Sequence, residues 1–326
     1  MAIYTLTPAQ LRGAGIYNSF EIPAGGIPSF ADTKSFQFDG ITDYFLGVGN
    51  YNELNGVSIA TFSFWIKPQD NAFRILLHVP RNNTNANGQF FIYQRSGRIQ
   101  MNIDTASYYC RTPDNTLILN QWNHVMICMN LPSTDEGKIF INGVDQTSIE
   151  NWYNRTALST STGGLYIGES NNGYLAPFYG NMDEVAIWSG SDQRANVSEI
   201  YNGGLPNDLN NLPTAPQPTT WQRMGENATW SGFAWTMYDV NGNYRHRGAG
   251  IPEEGRTTDV PLFDNKSFTY DGSLDYVNLG DNNNLSFGDG STDSPFSISA
   301  WIKMTDTSGF RILNKYVGSV LEYSFG

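Results

Sequence analysis

The sequence predicts an all-β fold, with antiparallel β-sandwiches in tandem and the second copy incomplete. Three observations carry this. Phe62, Phe64 and Ile66 alternate with Ser63, Trp65 and Lys67, and Phe296, Ile298, Ala300 and Ile302 repeat the alternation. A period of two belongs to a strand with its two faces in different surroundings. Short runs of this kind follow one another with turn residues between them, as in a sandwich. Third, the chain repeats itself. Arg12-Gly13-Ala14-Gly15-Ile16 returns as Arg247-Gly248-Ala249-Gly250-Ile251, and Lys34-Ser35-Phe36-Gln37-Phe38-Asp39-Gly40 returns as Lys266-Ser267-Phe268-Thr269-Tyr270-Asp271-Gly272. Asp43-Tyr44, Trp65-Ile66-Lys67 and Phe73-Arg74-Ile75-Leu76 return in the same order as Asp275-Tyr276, Trp301-Ile302-Lys303 and Phe310-Arg311-Ile312-Leu313.

These matches divide the chain. Residues 1–30 read as an N-terminal arm and 31–205 as the first sandwich. Residues 206–265 read as a Pro- and Trp-rich linker and packing segment, and 266–326 as the front part of a second sandwich. Within the first copy, strands are expected at 90–93, 99–103, 122–129, 138–141, 165–167 and 183–188. Asn142-Gly143 marks a tight hairpin, because both residues tolerate positive φ. Ser198 to Tyr201, stopped by Gly203-Gly204, reads as one short helix. Pro206, Pro213, Pro216 and Pro218 favour an extended boundary. Trp221, Met224, Trp230 and Trp235 beyond it are expected to pack rather than face water. Nothing in the second copy corresponds to the first after about Gly97. Its strands would leave Phe268, Phe296, Ile298 and Ile302 uncovered beside open edges. The expectation is that the natural chain continues or that another chain covers this face, giving a homo-oligomer or an elongated tandem array.

Hydrophobic residues make up 40% of the chain and aromatic ones 14%, enough for a substantial core. A net charge of −12 disfavours nucleic acid, whose recognition starts from a basic patch. No run approaches the roughly 18 apolar residues of a membrane helix, so membrane insertion is not expected. Residues 1–20 lack a charged start followed by an apolar middle, so no secretory signal is expected. Cys110 and Cys128 are read as buried thiols, too few for a disulfide framework.

Phe38-Asp39-Gly40, Asp43-Tyr44, Phe64-Trp65-Ile66-Lys67, Gln121-Trp122-Asn123-His124-Val125 and Lys138-Ile139-Phe140-Ile141-Asn142-Gly143-Val144 together resemble laminin G-like domains of the concanavalin A-like lectin/glucanase type. The closing run from Tyr179 through Asp183-Glu184 to Trp188, followed by Ser198-Glu199-Ile200-Tyr201-Asn202-Gly203-Gly204, extends the match. The resemblance implies a concanavalin A-like jelly roll. Tandem domains joined by Asn202-Gly203-Gly204, a Pro-rich link and Trp221-Gln222-Arg223-Met224-Gly225 are similar to virion structural proteins of tailed bacteriophages. That narrower likeness implies a fibre, tail or capsid-decoration component located in the virion. Its partners would be other virion proteins and host-surface glycans. The alternative is a bacterial extracellular adhesin or carbohydrate-binding lectin, at the cell surface or secreted.

Glucanases of this superfamily carry Glu-x-Asp-x-x-Glu on one strand, so that alternation gathers the carboxylates on one face. The chain has no such spacing, and Asp183-Glu184 would point to opposite faces, so no enzyme activity is expected. His78, His124 and His246 lie far apart and lack zinc-ligand spacing, and His124 reads as a packed, hydrogen-bonded residue. The resemblance implies a structural calcium held by Asp183 of the last strand, with Asp39 and Gly40 as further candidates, since hard oxygen donors suit Ca²⁺. Without a cation, Asp39 would shape the turn before Gly40. Sugar binding calls for aromatic rings among planar amides. The Asn-rich loops carrying Trp152, Tyr153, Tyr174 and Phe178 have that composition.

Overall fold

A computed structural model describes residues 30–80, 88–103, 105–131, 137–151, 156–170, 176–242, 244–261, 302, 311–317 and 320–325. The chain divides into two units, Met1–Asp264 and Asn265–Gly326.

The first unit begins with strands β1 (Ser35–Asp39), β2 (Tyr44–Gly47), β3 (Ile59–Pro68), β4 (Arg74–Pro80), β5 (Gly88–Arg95) and β6 (Arg98–Ile103). There follow β7 (Thr105–Arg111), β8 (Asn123–Asn130), β9 (Gly137–Ile141), β10 (Val144–Asp145), β11 (Ile149–Asn151), β12 (Tyr166–Ile167) and β13 (Tyr179–Ser189). A short helix α1 (Val197–Tyr201) comes next, then β14 (Thr220–Gln222), β15 (Ala228–Trp230), β16 (Trp235–Tyr238), β17 (Arg245–Ala249) and β18 (Arg256–Thr257). Two sheets result. The first has the order β10-β9-β8-β3-β13-β1-β18, with β14 also paired to β13. The second has the order β11-β7-β6-β5-β4-β12-β2-β17-β16-β15. Every pairing recorded between these strands is antiparallel.

The period-two pattern explains the layers. Phe62, Phe64 and Ile66 of β3 enter the core between the sheets with Phe36, Phe38, Val125, Ile139, Ile141, Val185 and Ile187. Each such side chain contributes about 1.5–3 kcal/mol by leaving water. The other face of β3 is covered too: Ser63 and Trp65 are buried. Over that face a second cluster joins Met126, Cys128, Ala186 and Trp188 to Ile200 of the helix and to Leu209, Ala215 and Trp221. The helix is short because Asn202 adopts φ 49° and Gly203 φ 62°, which ends it. The hairpin between β9 and β10 turns at Asn142 (φ 51°) and Gly143 (φ 78°).

The stretch 206–265, read from sequence as a linker and packing segment, is more than a spacer. Its first part carries the prolines, but β14 and β18 extend the first sheet and β15, β16 and β17 extend the second. Trp221, Met224 and Trp235 are buried, and Trp230 packs on the core. Cys110 lies in the inter-sheet core and Cys128 under the helix, so a layer of strand separates the two thiols and they form no disulfide.

In the second unit a hairpin of β19 (Leu313–Val317) and β20 (Val320–Phe325) is described. Leu313 repeats Leu76, so this hairpin stands where the repeat places a counterpart of β4 and β5. Ile302 is about half exposed, at 51%. Phe268, Phe296 and Ile298, and the arm up to residue 29, lie outside the described residues.

Candidate functional site

Strands β1 and β14 line the same edge of β13. Phe36 to Asp39 pair with Met182 to Tyr179, and Thr220 to Gln222 pair with Ile187 to Val185. The two strands therefore run in line, with the end of β14 facing the start of β1. Opposite the gap β13 is irregular: its register with β3 shifts between Asp183 and Ala186, and Glu184 takes φ 48°. A bulge of this kind cancels alternation locally. Asp183 and Glu184 thus share one site instead of pointing to opposite faces, which corrects the expectation from spacing.

Into this junction come Asp32, just before β1, and Glu226, just after β14. One carboxylate oxygen from each of Asp32, Asp183, Glu184 and Glu226 lies within 4.8 Å of the others. Glu184 is held by Arg223 Nε (3.0 Å) and Trp221 Nε1 (2.5 Å). Glu226 Oε1 accepts the backbone N–H groups of Thr33 and Lys34, each at 2.7 Å. Arg223 also donates to the carbonyl of Ala31 at 2.7 Å. Asp32 Oδ1 and Oδ2, Asp183 Oδ2 and Glu226 Oε2 are buried with no hydrogen-bond partner among the described residues. A buried polar atom left unpaired is costly. Burial, then the neighbouring carboxylates, pushes Asp32 up to about 9 and Asp183 well above the usual carboxylate range. Burial pushes Glu184 up to about 7 even with Arg223 beside it. A set of hard carboxylate oxygens with unpaired lone pairs fits a divalent cation of the Ca²⁺ or Mg²⁺ kind.

Asp183 is therefore part of an acidic cluster, whereas Asp39 and Gly40 stand apart from it. The Asp39 carboxylate accepts the backbone N–H groups of Ile41, Thr42 and Asp43, at 2.7, 2.9 and 3.2 Å. Gly40 gives its carbonyl to Arg74 Nη1. These two residues build the turn. Asp32, Glu184, Glu226 and Arg223 were not legible as site residues, because bulges and strand ends leave no periodic signal.

The outward face of the second sheet carries a row of rings. Tyr166 pairs with His78 and His78 with Phe91, straight across β12, β4 and β5, and Asn102 follows on β6. Their alternation partners Ile167, Leu77, Ile92 and Met101 fill the core, so the row faces away from it. Tyr44 stacks on Tyr166 with centroids 6.1 Å apart, and His78 lies 6.1 Å from Tyr166 and 5.6 Å from Phe91. Phe73 and Tyr93 continue the row, 5.0 Å from each other and within 6.1 Å of Phe91. Gln100 and Asn102 border it, joined amide to amide at 2.8 Å. Burial pushes up the Tyr166 phenol, with Tyr44 and the Glu169 carboxylate adding to the effect. His78 is enclosed, and burial lowers it to about 4, so it is neutral.

Of the aromatic residues singled out from composition, Trp152, Tyr153 and Tyr174 lie outside the described residues. Phe178 is fully buried against Phe38 and offers no face to a ligand, which corrects its assignment. It sits next to β13, where the alternation has already turned inward. His124 Nε2 lies 2.8 Å from Ser63 Oγ, and burial lowers its pKa to about 3. His246 is likewise buried and lowered to about 4. No helix among the described residues is long and apolar enough to cross a membrane.

Residues 39–200 match the Laminin_G_3 family, described as the concanavalin A-like lectin/glucanases superfamily. Curated proteins give no significant match. Among solved structures, the chain is similar to a native heptameric SAP-like pentraxin from Limulus polyphemus. That match has 17% identity and a TM-score of 0.45, covering 68% of this chain and 96% of the pentraxin. Domain 4 of AbnA, a GH43 extracellular arabinanase from Geobacillus stearothermophilus, in complex with arabinotriose, gives 18% identity and a TM-score of 0.38, covering 54% and 82%. The CBM40 of the Ruminococcus gnavus IT-sialidase gives 14% and 0.37, covering 50% and 94%. With its antiparallel sandwich and the match over residues 39–200, the chain carries a laminin G-like domain of the concanavalin A-like superfamily.

Proposed function

We propose that the protein is a non-enzymatic attachment protein that holds glycans on the outward face of its second sheet. The observation that carries this reading is the row of rings from Tyr93 through Phe91, His78 and Tyr166 to Tyr44, bordered by Gln100, Asn102 and Glu169. Sugar rings present C–H faces that pack on aromatic surfaces, and their hydroxyls pair with amides and carboxylates. The acidic cluster does not serve as a hydrolytic pair in this reading. Asp183 and Glu184 are almost fully buried, at 0% and 3% exposure, and no polysaccharide chain reaches them. Calcium is the cation assigned to that cluster, held by Asp32, Asp183 and Glu226, where it would cancel the mutual repulsion of the carboxylates. The setting we assign is a tailed-phage particle, as a fibre, tail or capsid-decoration component. The tandem repeat and the Trp221-Gln222-Arg223-Met224-Gly225 segment support it, and repeated weak sites would add up there to firm attachment. The partners are then other virion proteins and host-surface glycans.

The test is a glycan-array screen of the purified chain beside Tyr166→Ala. Binding that drops about tenfold or more in the variant, with an unchanged melting temperature, supports the reading. Equal binding by both refutes the assigned face. Mass spectrometry of purified virions separates the particle protein from a bacterial adhesin, which would be found on cells instead.

A further inference from the structure

A cleft of about 480 Å³ opens on the outward side of the first sheet, away from the row of rings. Its floor comes from neighbouring strands: Gln37 of β1, Asn181 of β13 and Lys67 of β3, with Gln69 and Asn120 from the adjoining turns. Gln37 and Asn181 are register partners, as are Asn181 and Lys67, so these three side chains stand side by side across the sheet. Asp259, beyond β18, closes one wall. It takes Lys67 Nζ at 2.6 Å on one oxygen and the Trp122 indole N–H at 3.1 Å on the other.

The lining has a definite chemistry. Lys67 and Asp259 cancel in charge, so the cleft favours neither a polyanion nor a cation. Four side-chain amides remain, each with a donor and an acceptor in one plane. Among the described residues no hydrogen bond is recorded for the side-chain amides of Gln37, Gln69 and Asn120, and Asn181 makes only a 3.4 Å contact to Ser35 Oγ. The amides of Gln37, Gln69 and Asn120 face solvent and stand open to a ligand whose surface alternates donors and acceptors, while Asn181 is buried at the floor.

We propose that this cleft is a second saccharide site, for a neutral oligosaccharide of one to three sugar rings. Vicinal hydroxyls would bridge the amides of Gln69 and Asn120, with the Gln37 amide reached by the next ring. The Lys67–Asp259 pair would supply one charged donor and one charged acceptor at the wall. Part of the site comes from Asp259, outside the stretch 39–200 that matches the family, so the extension after β13 completes it. The proposal shares its ligand class with the reading of the second sheet but uses none of the same residues.

The experiment follows the Trp122 indole N–H by NMR in the full chain, assigned with Trp122→Phe. The titrants are glucose, mannose, galactose and N-acetylglucosamine trimers. A saturable shift of that resonance is expected with at least one trimer, with Kd in the region of about 1 mM, as for a small open site. The Gln69→Ala/Asn120→Gly double variant removes two surface side chains and should keep the melting temperature, since glycine tolerates the φ of 57° at position 120. It should weaken the effect about tenfold or more. Tyr166→Ala should leave it intact, which separates this site from the row of rings. No shift with any trimer overturns the proposal, as does a shift of equal affinity in the double variant. Loss of array binding in Tyr166→Ala would leave this result untouched.

Discussion

Removing divalent cations should make the first unit less stable as pH rises, and the acidic junction gives the size of the effect. Asp32 is held near about 9, Asp183 well above its usual range and Glu184 near about 7, burial being the first cause in each. In the unfolded chain these carboxyls ionise near 4. Between those limits the folded, cation-free protein keeps protons that the unfolded chain has lost. Its stability therefore falls as pH rises through this window. One pKa unit is about 1.4 kcal/mol, so the move of Glu184 from 4.5 to about 7 alone corresponds to about 3 kcal/mol. Asp32 and Asp183 add in the same direction. For a domain of this size each kcal/mol shifts the melting temperature by about 2–4 °C. In EDTA the melting temperature should thus drop by roughly 6–12 °C from Glu184 alone between about pH 5 and about pH 8.5, and by more with Asp32 and Asp183. Saturating Ca²⁺ should remove most of that drop, because a bound ion stabilises the ionised carboxylates in proportion to the logarithm of its concentration. Differential scanning calorimetry with and without EDTA is the assay, with Asp183→Asn as the control that loses the Ca²⁺ response. A melting temperature in EDTA that stays level or rises over this window, together with no response to Ca²⁺, would refute the reasoning.

Other outcomes follow from single positions. Phe64→Ala should cost about 3–5 kcal/mol, since Phe64 is wholly buried between the sheets; urea denaturation measures it, and a neutral result would mean the layer was misread. Gly225→Ala should destabilise by about 1–3 kcal/mol. Gly225 has φ 151°, and an added Cβ would lie 2.6 Å from Lys34 Cβ. A variant as stable as the parent would show that β14 and β1 do not meet so closely. Screened against β-glucans, alginates and pectins, the protein should release no reducing ends. Specific cleavage that survives repurification would overturn its assignment as a non-enzyme.

Much of the first unit was legible because period two survives wherever a strand separates the core from another environment. Phe62, Phe64 and Ile66 announced β3, and Asn142-Gly143 announced the β9–β10 hairpin, from local rules alone. Two features were not legible. The outer side of β3 reads as polar at Ser63, yet Ser63 is buried beneath the helix and the segment around Trp221, which are remote in sequence. The ring row on the second sheet was also hidden. Its members lie on four strands, and only the register of β2, β4, β5 and β12 aligns Tyr44, His78, Phe91 and Tyr166. Composition pointed instead to loops, and to Phe178, whose ring the fold needed for the core.

The acidic junction explains why the extension belongs to the sandwich. Strand β13 is long enough for two partners along one edge, and β1 covers only its first part. The rest, from Val185 to Ile187, would otherwise be an open edge with unpaired amides. Thr220 to Gln222 close it, but a second strand placed in line with the first creates a gap between their ends. There the backbone of β13 bulges and the ladder is interrupted. Side chains satisfy what the ladder leaves: Glu226 takes the N–H groups of Thr33 and Lys34, and Arg223 takes the carbonyl of Ala31. Each of these contacts joins the extension to the residues leading into β1. The carboxylates gathered there are thus a consequence of how the edge is closed, and their repulsion is the cost a cation or a proton must offset. On this argument Glu226→Gln should keep the backbone contacts through its remaining oxygen while weakening the Ca²⁺ response. Glu226→Ala should lose both and free the segment after Gln222 to proteolysis. If both variants resist protease as the parent does, the junction does not hold the extension in place.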